Sequence, residues 1–250
     1  MKNEECKYRG ARHGERFCAG LQMKRAAWIF AWLLCAAVDS ALAQVAPTAS
    51  EIAGYKGLHA AAARGDTAEI GKLIAAKANL NARDDYSRTP LHVATFGRHR
   101  EALAALIKAG ADLNARENDR YDAVTIAAVA DDAATLKLLL EAGASAKQVT
   151  SRYDGTALIA AAHLGHDEVV KLLIAAGAPL DHVNNLGWTA LIESIVLGQG
   201  GPRHVETLRA IVRAGANVNL ADRNRQTPLQ LARQRGYQPM VAILEQAGGK

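Results

Sequence analysis

From Thr156 to Ala178 the chain reads TALIAAAHLGHDEVVKLLIAAGA, two short apolar-periodic runs separated by a glycine. Thr156 is a good N-cap, because its hydroxyl can accept a bond from a free amide of the first turn. Leu158, Ala161 and Ala162 give the first run one small, apolar side on which another helix can pack closely. Gly165 stops the run where a left-handed conformation costs least. Asp167 and Glu168 favour the positive end of a second helix, and Val169, Val170, Leu172, Leu173 and Ile174 form its wide apolar face before Gly177 ends it. The pattern predicts a helix–turn–helix unit with too much apolar surface to stand alone.

The unit recurs. The leucine of Thr-x-Leu, or its substitute, falls at Leu58, Leu91, Val124, Leu158, Leu191 and Leu229, giving spacings of 33, 33, 34, 33 and 38 residues. A period near 33 predicts a stacked array in which each unit buries its face on its neighbours. Thr89-Pro90-Leu91-His92-Val93-Ala94 resembles the TPLHxA signature of the ankyrin repeat. Gly165-His166, the VVKLL of Val169 to Leu173, and the endings Ala109 to Asn114 and Ala214 to Asn219 resemble the family as well. The resemblance covers about 195 residues. It implies an all-α ankyrin-repeat solenoid of helix–turn–helix units joined by β-hairpin fingers.

Six repeats are expected, at about 55–81, 84–114, 117–147, 151–181, 184–219 and 222–248. The first departs from the pattern, as terminal repeats do because one face meets water. It has Lys77 where Gly110, Gly143, Gly177 and Gly215 end later repeats, which in a left-handed conformation costs about 1 kcal/mol. In the third, Asp122 replaces the capping threonine. The fifth carries about five extra residues within Gly198–Arg203, expected as a loop between its helices. The sixth closes the stack with a polar end.

Charge and cysteine change the picture ahead of the array. Residues 1–43 hold seven of the 30 Lys/Arg and four of the 25 Asp/Glu, leaving 23 basic against 21 acidic residues in 44–250. The basic pI of about 9.2 therefore gives little support to nucleic-acid binding. Lys24-Arg25, the apolar run Ala26–Val38 and the small-residue site Ala41-Leu42-Ala43 read as a signal peptide over 23–43, with the mature chain starting at Gln44. Translation is expected from Met23, with 1–22 a gene-model extension or a long n-region. Cys6, Cys18 and Cys35 all precede the cleavage site, so the mature chain has no thiol, as suits an oxidising periplasm. Residues 44–54 read as a linker, with the start of a short capping helix near Glu51–Ile52.

Candidate chemistry is sparse. His163 and His166 lie three apart beside Asp167, but Gly-His at a turn is what the ankyrin resemblance supplies, and it implies that His59 and His92 bond backbone between repeats. Equivalent positions of adjacent repeats are separated by about 8–10 Å, too far to share one ion. No HExxH, GxSxG, Walker or dinucleotide motif occurs. The expectation is no enzyme, no cofactor and no metal.

Surface remains. Tyr55, Tyr121 and Trp188 immediately precede the capping position, Tyr86 and Tyr153 lie three before it, and Arg88, Arg120 and Arg152 fall in the same connections. Tyr, Trp and Arg anchor interfaces more often than other side chains. The resemblance implies that these connections are fingers, and that Phe96, Val129, Leu164, Val196 and Leu197 line the inner-helix side of one groove. The expected partner-binding set is thus Tyr86, Arg88, Phe96, Arg120, Tyr121, Val129, Arg152, Tyr153, Leu164, Trp188 and Leu197, with Val196 beside it. The expected role is a monomeric, non-catalytic scaffold or stabiliser in the periplasm, binding an envelope protein with acidic patches and keeping no membrane span after cleavage. The alternatives are a membrane-anchored or cytosolic regulator, and a metal-handling or enzymatic protein using the histidines.

Overall fold

The structure, a computed structural model, describes residues 46–250. The expected leader, its cysteines and the first residues of the linker lie outside the described residues. A short helix α1 (Ala49–Gly54) precedes six helix pairs: α2 (Gly57–Arg64) and α3 (Thr67–Ala75); α4 (Pro90–Phe96) and α5 (Arg100–Lys108); α6 (Ala123–Val129) and α7 (Ala133–Glu141); α8 (Ala157–Leu164) and α9 (Asp167–Ala175); α10 (Ala190–Val196) and α11 (Pro202–Arg213); α12 (Pro228–Gln234) and α13 (Gln238–Gln246). The first helix of each pair packs on the first helix of the next, and the second on the second except between α5 and α7. Two layers result, an inner row of first helices and an outer row of second helices.

The frame residues act as the pattern predicts. Thr156 accepts a bond from the Ile159 N–H and Asp122 one from the Thr125 N–H, at 3.3 and 2.8 Å. Thr89 and Thr227 form reciprocal capping boxes with His92 and Gln230. Lys56, at the same place in the first repeat, makes no side-chain cap bond. Each Thr-x-Leu position is buried, from Leu58 at 5% exposed to Leu158 at 0%. Such a side chain stabilises by about 2 kcal/mol, so the repeats stand by stacking.

Gly165 closes α8 at φ +69°, and a Cβ there would also lie 2.8 Å from the His204 ring of the next repeat. Glycine is therefore required twice, by the backbone and by the neighbour. Lys77 is left-handed at φ +57°.

Two expectations are corrected. The extra residues of the fifth repeat are not all loop: α11 runs 12 residues where the other outer helices run nine. Its capping place is taken by Gly201 followed by Pro202, which suits the first turn of a helix. The fingers are not all β-hairpins either. Among the described residues one antiparallel ladder forms, Val149–Thr150 with Gly155–Thr156, in the register Val149 to Thr156. The others close as tight turns.

Candidate partner-binding surface

Each finger turns around one polar side chain. Asp84 Oδ1 accepts the N–H groups of Tyr86 and Arg88, while the Asp84 N–H donates to the Arg88 carbonyl. Asn184 does the same for Leu186 and Trp188, and Asp222 for Asn224 and Gln226. Ser151 and Glu117 serve the fourth and third repeats. A short polar side chain bonding its own backbone two residues on competes with strand pairing. The position three after the polar residue is left-handed throughout: Ser87, Arg120, Asp154, Gly187 and Arg225.

Fingers also bond sideways. Asn118 N–H donates to the Tyr86 carbonyl and Asn185 N–H to the Tyr153 carbonyl, at 3.0 and 2.9 Å. Arg152 pairs with Asp119 and Arg120 with Asp154, each at 2.8 Å. Arg83 and Arg116 donate to carbonyls one finger on.

The structure splits the expected partner-binding set. Arg88 and Tyr121 are 1% and 5% exposed, which corrects their placement on the surface. Arg88, just before its cap, is covered by Glu51 of α1, by Asp84 and by the Tyr86 ring of its own finger. Trp188, at the same position, is half-buried and packs against the core. Tyr86 is 47% exposed, Tyr153 half-buried, and Arg120 and Arg152 reach solvent while paired. The inner-row residues Phe96, Val129, Val196 and Leu197 are half-buried, and Leu164 is exposed.

Sequence reasoning missed two features. Val183, in the approach to the fifth finger, is 49% exposed; its apolar type in a polar connection was the available signal. Glu193 in α10 is a buried carboxylate at a position where the other repeats have Val93, Ile126, Ala160 and Leu231. Asn184 Nδ2 donates to its Oε1 at 2.8 Å, and His163 Nδ1 lies 3.3 Å from its Oε2. His163 stands seven residues after Thr156, as Phe96 does after Thr89 and Val129 after Asp122. This polar pair is buried between repeats four and five.

Six histidines spend a ring nitrogen on backbone. His59 bonds the Arg88 carbonyl and His92 the Ala115 carbonyl, as the resemblance implies. His99, His166, His182 and His204 bond the carbonyls of Ala63, Ala128, Asp154 and His163. Burial drives the His92 imidazole down to a pKa of about 4, against the Ala115 bond that favours its protonated form. Among the described residues no group of three or more His, Cys, Asp or Glu is placed to hold a metal ion. No helix among them is long and apolar enough to cross a membrane.

The family model for ankyrin repeats (3 copies) matches residues 27–117 and 124–222. The chain belongs to the ankyrin-repeat family. It is 36% identical over 99 residues to the putative ankyrin repeat protein YahD of Escherichia coli K12, a match covering 39% of this chain and 49% of YahD. The match thus spans about half the length of that relative. The crystal structure of an ankyrin repeat domain from Acinetobacter baumannii AYE is 45% identical, with a TM-score of 0.74 over 77% of this chain and 98% of that one. The human ASB11 ankyrin repeat domain is 26% identical, with a TM-score of 0.64 over 78% of this chain and 85% of that one. Ankyrin repeats are protein-binding modules, so an interaction scaffold is the coarse function of this array.

Proposed function

We propose that this ankyrin array is a non-catalytic binding protein that grips another protein along its inner row and fingers. One observation carries the reading. The large apolar side chains left exposed among the described residues are Ile52, Tyr86, Leu164 and Val183. All four lie in α1, the inner row or the fingers, and none in an outer helix. Apolar side chains left exposed away from the outer row are available for contact with a partner there.

The chemistry of the partner follows from what is paired. Arg120 and Arg152 already face carboxylates of neighbouring fingers, so an acidic patch gains less from them than their number suggests. Apolar side chains of the partner supply the affinity, and acidic ones add orientation. The proposed place of action is the periplasm, on an envelope protein; the leader-like pattern of 23–43 and the absence of cysteine from 44–250 speak for it.

Replacing Leu164 and Val196 together by Asp puts two charges on the groove without touching a fully buried residue. Capture of the partner from envelope extracts should fall at least tenfold, with the unfolding midpoint nearly unchanged. Unchanged capture would move the site off the inner row. Intact mass and N-terminal sequencing of the protein from its host should show a start at Gln44. A start at Met1 or Met23 in the membrane fraction would favour the anchored alternative.

A further inference from the structure

Helix α1 is a weakly held element in a telling place. It has six residues and no buried side chain, and Ile52 is 40% exposed. A helix this short does not persist on its own in water. Apolar contact holds it only loosely, because a cavity of about 110 Å³ remains where Ala46, Pro47 and Ile52 face Ala63, Val93 and Phe96 at the end of the inner row. The strong contact is ionic. Glu51 Oε1 lies 2.6 Å from Arg88 Nη2, while Arg88 Nε lies 2.7 Å from Asp84 Oδ2. Tyr55 donates its hydroxyl to the same Asp84 at 2.7 Å. Thr48 bonds and the Arg88 charge hold the Glu51 carboxyl below its ordinary pKa.

Arg88 occupies the place where other repeats put Tyr121 or Trp188, just before the cap. A guanidinium there needs carboxylates, and the array itself supplies Asp84. Glu51 comes instead from α1. If α1 lifts away, Arg88 loses Glu51 as a partner, and the apolar wall of Ala63, Val93 and Phe96 loses Ile52. The notch that Glu51 and Ile52 leave then has one cationic part, at Arg88, and one apolar part, at Ala63, Val93 and Phe96.

We propose that α1 is an internal occupant of this notch, displaced when a partner inserts a segment in which an acidic residue is followed by an aliphatic one. Glu51-Ile52 shows that chemistry in place. The inference rests on the inner-row reading above and adds the partner's local sequence character and a control step. An occupant tethered a few residues away competes at high effective concentration, so partner affinity is reduced by the fraction of time the notch is filled.

The test uses the whole chain and a labelled peptide with the sequence of residues 46–56. Wild-type protein and Glu51→Lys are titrated with the peptide by fluorescence anisotropy, and hydrogen exchange reports on α1 and the array. The lysine repels Arg88, so α1 amides should lose protection while the inner row keeps it. The variant should then bind the peptide at least tenfold more tightly than wild type. A peptide carrying Glu51→Gln should lose most of that gain. Equal affinity of both chains overturns the inference, and so does continued protection of α1 in the variant. Should the lysine disturb the array, Glu51→Gln is measured in its place against the same outcomes. Leu164 and Val196 lie in repeats that α1 does not reach, so this inference and the groove reading fail separately.

Discussion

His92 is bound at both ring nitrogens, one to the Thr89 cap and one to the Ala115 carbonyl, and it has no exposure to water. Its folded pKa of about 4 lies below the ordinary value of 6.5. The unfolded chain therefore binds more protons between those values, and stability is lost as pH falls from about 6.5 to about 4. The loss from this residue amounts to roughly 3 kcal/mol. Asp122, pushed up by burial, opposes it, because a carboxyl whose folded pKa is raised adds stability as pH falls. Denaturant midpoints measured across the window should fall for wild type and flatten for His92→Gln; parallel curves would remove the imidazole from the account. The bond from the TPLH histidine to backbone was legible from the resemblance. The burial of Glu193 beside His163 was not, because it depends on which face of α8 meets α10.

At the scale of an element, the finger decides which aromatic residues are free. The run before each cap was legible as a connection, but its hydrogen bonding was not. Asp84, Asn184 and Asp222 each tie down two amides of their own turn, and that geometry sends the residue before the cap inward. Tyr121 therefore stabilises the stack. Tyr121→Ala should cost about 3 kcal/mol, as large aromatic deletions in cores do, whereas Tyr86→Ala should cost less than about 1 kcal/mol. Thermal unfolding of the two variants checks this, and equal losses would contradict the inward placement. The fifth repeat teaches a similar lesson. Its extra length was visible in the spacing, but Pro202 at the first turn lets α11 absorb part of it. That helix then brings Arg203 to both Asp131 and Asp167 across the neighbouring repeats, at 2.8 and 3.0 Å.

For the whole molecule, the repeat period and its frame were enough to specify two rows of helices, because every unit repeats the same burial. What the period could not specify is the occupant of the groove. Stacking is satisfied by the buried frame and is indifferent to Tyr86, Leu164 or Val183. The central claim is that a partner lies on the inner row and fingers. Placing a photo-crosslinking amino acid at Leu164 in α8, and separately at the exposed Lys137 in α7, tests it in the native host. Irradiation should join one discrete protein to the Leu164 variant and nothing comparable to the Lys137 variant. A product at Lys137 with none at Leu164 would place the partner on the outer row and contradict the account.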